Sequence, residues 1–410
     1  MSKETWLIEP RDALIVRDGR PFGSTAGVRA KSLDFPFPST TTGGVRTRAG
    51  LDLIKGDVNE FPKYKINGES LSEAVQKIEV RGALLAEVED GEVNLLVHAP
   101  ADCLIVASEN KNEKNRFPLV PLESDNLDFC SNLDGLHLLG TTEKVTGKPQ
   151  SEPRFWRWTK FEKWLKSADE ADVIDVETLG HRGLTGEQRT HVRILDETKG
   201  YQTKANVPGG LFQTRGLEFT VTDEKNQLSS AKKMVLVVEV ERHNFGGEIQ
   251  EGIAPLGGER RVVAWRKSDE NIFPNCPGEI KTRIASDKSC RLILLTPAIF
   301  ENGFKPTWLQ TANGLTATVE AIAVSRTQVI SGWDFVKRSP KPTRRMCPAG
   351  TVLFLRLSDG DIGKWNEHTW FRCMSDSEQD RKDGFGLAAL GTWDGIPKKL
   401  TDIRGLGENV

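Results

Sequence analysis

The apolar pattern opens with TWLIEPRDALIVR, Thr5 to Arg17, a β-rich run interrupted by Pro10 and closed by the turn Asp18-Gly19-Arg20-Pro21. It predicts an opening strand. After the extended FPFPS, the hydroxyls of Ser39, Thr40, Thr41 and Thr42 are placed to cap a helix from about Gly43 to Leu53, in which Val45, Ala49 and Leu53 recur every four residues. Two strand-like runs follow, Ile78 to Val88 and Val93 to Ala107, separated by the hairpin signal Asp90-Gly91. Such a β-α-β-β start is typical of ferredoxin-like domains. Farther on, Trp158, Phe161, Trp164 and Leu165 form one face of a short amphipathic helix, an aromatic stripe expected to pack in a core rather than stack on bases. A second set of strands is predicted at Met234 to Glu241, Arg261 to Trp265, Arg291 to Thr296, Thr318 to Arg326 and Val352 to Leu357, with a helix over Pro297 to Leu309. The expected organisation is an N-terminal α+β domain over 1–230 and a second over 231–410. Polar, glycine-broken stretches at 108–115, 141–151 and 185–210 read as insertions or long loops.

Composition narrows the class. With 410 residues, 37% hydrophobic and 28% charged, and no apolar run of 18 or more, the chain reads as a multidomain soluble protein with no membrane span. MSKETWLIEP lacks the apolar core of a signal peptide, and the six cysteines (Cys103, Cys130, Cys276, Cys290, Cys347, Cys373) form no CxxC pair, so reduced thiols in a cytoplasm are expected. A net charge of −2 excludes a protein that coats nucleic acid over its whole surface, but leaves room for a local basic groove. Charge is uneven: residues 335 to 350 hold five basic side chains and no acid, whereas 167 to 180 hold five acids and no base.

The most conspicuous motif is DGFGLAALGTWDG, 383 to 395, whose Gly384-Phe-Gly386-Leu-Ala-Ala389 fits the GxGxxG/A spacing of a dinucleotide loop. Only 21 residues follow Ala389, too few for the rest of a βαβ unit, and no GK[ST] is present, so no cofactor is expected there. The remaining alternatives are a hairpin ending the fold or a backbone surface that lets a polyanion or another chain come close. Three other stretches invite the same question. Lys337-Arg338-Ser-Pro-Lys341-Pro-Thr-Arg344-Arg345 displays cations on a proline-stiffened segment. Gly257-Gly258-Glu259-Arg260-Arg261 combines close backbone approach with two guanidiniums. His181-Arg182, with Arg189, His191 and Arg193, could cleave RNA without metal, an imidazole taking the 2′-hydroxyl proton, although hydrogen-bonded loop histidines are the plainer reading. No HxxxH, calcium-loop spacing or GxSxG elbow occurs, so neither a metal site nor a serine nucleophile is expected.

Taken in order, IEPRDALIVRDGRPF, FPFPSTTTGGVRT, HAPADCLIV, LGGERR, LLTPAIF, ISGWDFVKRSPKPTRRMCPAG and DGFGLAALGTWDG resemble the Cmr-type subunit three, a RAMP-superfamily family of type III-B CRISPR effector complexes, from residue 6 to about 395. The resemblance implies a non-enzymatic RNA-binding scaffold with two ferredoxin-like (RRM-like) domains carrying long loop insertions. Such a subunit holds the 5′ repeat-derived handle of the CRISPR RNA and docks against the large polymerase-like subunit and the adjacent RAMP backbone subunit. Carried over by motif, Gly384 to Gly391 resembles the superfamily's glycine-rich loop, and Ser39, Thr40, Gly43, Gly44 and Arg46 would line the RNA path with Gly257, Gly258, Arg260 and Arg261. The expected RNA-contacting set is completed by Arg20, His181, Arg182, Arg189, Lys337, Arg338, Arg344, Arg345, Gly384 and Gly386. The aromatic strand motifs of RRM domains are not recognisable, so backbone contacts from loops are expected in place of stacking on an open sheet.

Overall fold

The computed structural model describes residues 3–18, 32–57, 59–108, 113–123, 135–141, 143–168, 171–192, 194–196, 200–201, 211–222, 231–310, 315–334, 339–358 and 360–399. The first half is built on β1 (Lys3–Pro10), α1 (Pro38–Leu53), β2 (Glu79–Glu89), β3 (Glu92–His98), β4 (Phe155–Arg157), α2 (Trp158–Lys166), β5 (Gly180–His181), β6 (Lys232–Glu241), β7 (Gly252–Leu256) and β8 (Arg261–Ser268). The strands form one antiparallel sheet in the order β5-β4-β3-β2-β6-β1-β8-β7. The near-continuous apolar run of β6 has a simple cause. Val235 and Val237 point into the core shared with the second half, whereas Leu236, Val238 and Val240 point into the core beneath α1. A strand covered on both faces needs no polar alternation.

The second half contains α3 (Gly278–Asp287), β9 (Ser289–Leu294), β10 (Thr316–Ala323), β11 (Val352–Ser358), α4 (Ile362–Thr369), β12 (Arg372–Cys373), α5 (Glu378–Lys382) and β13 (Leu387–Gly391). Its sheet runs β10-β11-β9-β13-β12. Two extended ribbons leave these sheets. Thr185–Val192 pairs with Leu211–Glu218, and Gln328–Ile330 pairs with Arg344–Met346. A further small sheet uses Asp172–Asp175, Glu113–Pro121, Cys103–Ala107 and Pro149–Gln150, so parts of the polar 108–115 and 141–151 stretches are ordered strand. Among the described residues no helix is long and apolar enough to cross a membrane.

Several sequence expectations change. The first sheet continues past residue 230 to Ser268, because β6 lies between β1 and β2 and β8 pairs with β1. Val93 to Ala107 is two strands in two sheets: Pro100 has no N–H for a ladder, and a turn at Ala101-Asp102 breaks the run. Pro297 to Leu309 is not a helix. Pro297 and Pro306 interrupt it, Ala298 pairs with Cys347, and the Asp376 carboxylate accepts the Glu301 and Thr307 amides at 2.8 and 2.9 Å, leaving one 3₁₀ turn, Thr307–Gln310. The helix of this region is α3, which precedes β9 instead of following it.

α1 also begins earlier than its hydroxyls imply. Pro38 takes the first helical position with Phe37 as an uncapped N-cap, so Ser39 and Thr40 lie inside the first turn. The hydroxyls of Thr41 and Thr42 turn inward, donating to Pro38 O at 2.9 Å and Asp383 O at 2.8 Å.

The candidate nucleic-acid interface

The expected residues separate into two groups. The first gathers at the base of the Thr185–Val192 ribbon. Gly257 adopts φ +72°, and a Cβ there would lie 2.5 Å from Ile15 O; the Gly258 amide donates to that same oxygen at 2.7 Å. This bridge holds the turn against the segment after β1, where Leu14 pairs with Leu217 of the ribbon. Glu259 and Arg260 follow, both with positive φ. Asp12 accepts Arg261 and, at 3.1 Å, Arg189. Partial burial opposes ionisation of Asp12, but the Ala13 amide and the two arginines outweigh it and hold the carboxyl below its ordinary value. α1 reaches this group through Gly44, where a Cβ would come within 2.5 Å of Leu256 Cδ1; Gly43 faces open space.

Around the same ribbon the structure adds cations that the sequence did not single out. Asp34 bonds Arg154 at 3.3 Å and Arg215 at 3.1 Å, tying the ribbon to β4. Arg182 meets Glu152 at 2.9 Å, and Arg17 meets Glu259 at 2.7 Å. Arg154, Arg182, Arg189 and Arg215 keep 42–64% of their side-chain surface, so each pair is exposed and contributes little to stability. Arg260 is exposed and joins none of these pairs. Higher on the ribbon, the His191 ring stacks on Phe212 with centroids 5.1 Å apart, and Phe212 stays 38% exposed. No local signal in the sequence marks Asp34, Arg154 or Arg215 as neighbours, since they are far apart in the chain.

The second group gathers around the glycine-rich loop, which is itself internal, and this corrects the expectation for that loop. Gly384 (φ +89°) and Gly386 (φ +82°) are buried, and β13 is buried along its whole length in the middle of the second sheet. They offer no exposed backbone to a polyanion in this chain. Arg46 is used up as well: it bonds Asp383 Oδ1 at 2.5 Å and Ile78 O at 2.8 Å. Arg344 donates to both carboxylate oxygens of the buried Asp380, at 2.7 and 2.9 Å. Arg345 is exposed on the second ribbon, and Ser39 and Thr40 are half-buried beside the first turn of α1. Arg20, Lys337 and Arg338 lie outside the described residues.

His181 is tied down on the edge strand β5. Its Nε2 lies 2.9 Å from Glu87 Oε2 and 3.2 Å from an Arg157 nitrogen, and Lys232 bonds the other Glu87 oxygen. Burial alone would raise the Glu87 pKa, but the hydrogen bonds from His181 and Lys232 and the charge of Arg157 prevail and bring it down to about 2. A depressed carboxyl contributes stability that is complete above its unfolded value and lost as pH falls toward the folded one. Acid titration of unfolding is therefore expected to show a loss on the order of 3 kcal/mol between roughly pH 4.5 and 2 that Glu87→Gln removes, measured by denaturant midpoints at each pH.

One set of possible metal ligands exists among the described residues: Glu79, Glu241 and His243 bring donor atoms within 4.8 Å of one another. The Arg81 guanidinium bonds Glu79 at 2.8 Å and Glu241 at 3.1 Å, so a positive charge already occupies that position.

Comparison with known proteins agrees with the ordered motifs. The family model for the CRISPR-associated protein family Cas_Cmr3 matches residues 6–393. Among curated proteins none matches. Solved structures that resemble the chain include a Type III-B Cmr-beta complex bound to cognate target RNA and AMPPnP, with 15% identity, 85% of this chain and 86% of that chain covered, and a TM-score of 0.43. Another is a Csm3-Csm4 subcomplex of a type III-A interference complex, with 8% identity, 95% and 99% covered, and a TM-score of 0.32. A family match that runs from within β1 to just beyond β13 spans both sheets, and the chain belongs to the Cas_Cmr3 family of CRISPR-associated proteins.

Proposed function

We propose that this chain is a non-catalytic, cytoplasmic RNA-binding scaffold of a type III-B effector complex, gripping the 5′ handle of the CRISPR RNA at the base of the Thr185–Val192 ribbon. The observation that carries the reading is the set of exposed arginines there, each held by a carboxylate that a phosphate can replace. Arg154, Arg182, Arg189 and Arg215 are pre-positioned by Asp34, Glu152 and Asp12 at little energetic cost. Phosphates offer the same forked recognition to a guanidinium with more charge. The His191–Phe212 stack supplies an exposed aromatic surface for an unpaired base. We read both halves as ferredoxin-like. In support, β2-β6-β1-β8 and β10-β11-β9-β13 each place the chain's second, third, first and fourth strands side by side, antiparallel throughout.

The large polymerase-like subunit and the adjacent backbone subunit complete the proposed assembly. A scaffold role fits the two histidines, since Nε2 of His181 is engaged by Glu87 and Nε2 of His191 lies 2.8 Å from Thr214 Oγ1. Replacing Arg182, Arg189 and Arg260 with alanine together is expected to weaken binding of handle RNA and to reduce the logarithmic salt slope by about 2, at roughly 0.7 per lost phosphate contact to a single strand. Arg46→Ala, at an internal arginine, is expected to leave the slope unchanged. An unaltered slope in the triple variant removes the ribbon base from the site. Specific cleavage of repeat RNA in EDTA, abolished by His181→Ala or His191→Ala, would show instead a metal-independent endoribonuclease.

A further inference from the structure

A cleft of about 710 Å³ opens between the two halves, away from the ribbon base, where the start of β1 and the end of β8 meet α3 and α4. Its floor is aromatic, Phe273, Trp370 and Phe371, and fixed by the bond from Trp370 Nε1 to Pro274 O at 2.7 Å. Asn366 lines it while only 4% exposed, and its Oδ1 has no hydrogen-bond partner. A buried amide oxygen left unpaired is costly, so a small side-chain movement that brings it to an arriving N–H donor is favoured. Four acids line the cleft, Glu239, Asp269, Glu270 and Glu367, against three bases, Lys3, Lys281 and Arg372. Of these acids Glu239 is paired, with Lys3 at 3.4 Å and with the buried Arg81, whereas Asp269, Glu270 and Glu367 make no ion pair with any described residue.

We propose that this cleft is a second recognition site, which takes a polypeptide segment presenting an arginine or lysine from a neighbouring subunit of the complex. The three carboxylates without an ion pair disfavour a polyanion, so the proposed occupant is not RNA. The unpartnered Asn366 oxygen and the side chains of Asn271 and Asn275 match the alternating N–H and C=O of a peptide backbone, and the unpaired carboxylates match a cationic side chain. Its volume is within the range of preformed ligand sites. The identity of the partners rests on the scaffold reading above.

The test uses the full chain and two purified probes, the large polymerase-like subunit and the adjacent backbone subunit, with handle RNA as a third. Asn366→Leu tests the buried acceptor, and the double change Glu270→Lys with Glu367→Lys tests the rim at exposed positions that leave folding intact, checked by thermal melting. The expected result is at least a tenfold loss of affinity for one protein subunit in the rim variant, with RNA affinity unchanged. Wild-type affinity for both subunits in the rim variant overturns the cleft proposal alone. Loss of RNA binding with protein binding retained overturns it in favour of a nucleic-acid site. Failure of the unaltered chain to bind either subunit overturns the docking part of the scaffold reading together with the cleft.

Discussion

Gly384→Val is expected to destabilise the chain by about 2–6 kcal/mol while leaving the RNA affinity of the folded fraction unchanged. Two independent costs add. The residue sits at φ +89°, where a β-branched side chain is strained, and its Cβ would lie 2.6 Å from Gly82 O and 2.9 Å from Val80 O. Both obstacles are backbone atoms of β2, which cannot rotate aside. The loop is also fixed from the other side, since Thr296 donates to Gly384 O and accepts from the Leu387 amide, each at 2.8 Å. Denaturant titration reads the first effect, and handle affinity measured on the folded protein reads the second. Weakened RNA binding at unchanged stability would return the loop to the RNA path.

Arg291→Met is expected to cost about 3–5 kcal/mol, because it leaves the Asp102 carboxylate buried without its charge partner. Arg291 and Asp102 are 2% and 1% exposed and meet at 2.6 Å. The same guanidinium donates to Thr392 O at 2.8 Å and Trp164 O at 2.6 Å, and Trp164 Nε1 donates to Asp102 at 3.0 Å. One side chain of β9 thus ties the second sheet to α2 and to the turn that breaks β3 from the strand after it. Adding Asp102→Leu removes the stranded charge, so the double variant is expected to recover much of the loss. A double variant no more stable than Arg291→Met would show that the lost hydrogen bonds, and not the lone carboxylate, set the cost. The measurement is the unfolding midpoint of the three proteins under one denaturant.

Strand positions were legible where burial is two-sided or alternates over many residues. Lys232–Glu241 and Val352–Ser358 fall where MVLVVEVE and VLFLRL predict them, and the Asp90-Gly91 turn joins Glu79–Glu89 to Glu92–His98. Segments with prolines at their ends were not. Pro297 to Leu309 has helical spacing of apolar residues, yet its amides are satisfied by Asp376 and Ser375, side chains some 70 positions later. No local pattern encodes a partner at that separation.

The candidate interface divides along the same line. Gly257-Gly258 and Arg260-Arg261 announce a turn with close backbone approach and cations, and Arg260 and Arg261 stand on such a turn. In the loop at 383–391 the same cues, glycine and nearby charge, serve packing: Arg46 and Arg344 reach carboxylates at 383 and 380 that lie buried. Whether an arginine faces solvent depends on which acid the fold brings into hydrogen-bond reach of it, and that acid is commonly more than 30 residues away. Sequence by itself determined the family, a class that mixes strands with helices, and the glycine turn at 257–258. Tertiary structure decided which glycines and arginines are outside, because burial is set by what packs on an element and not by the element's own residues.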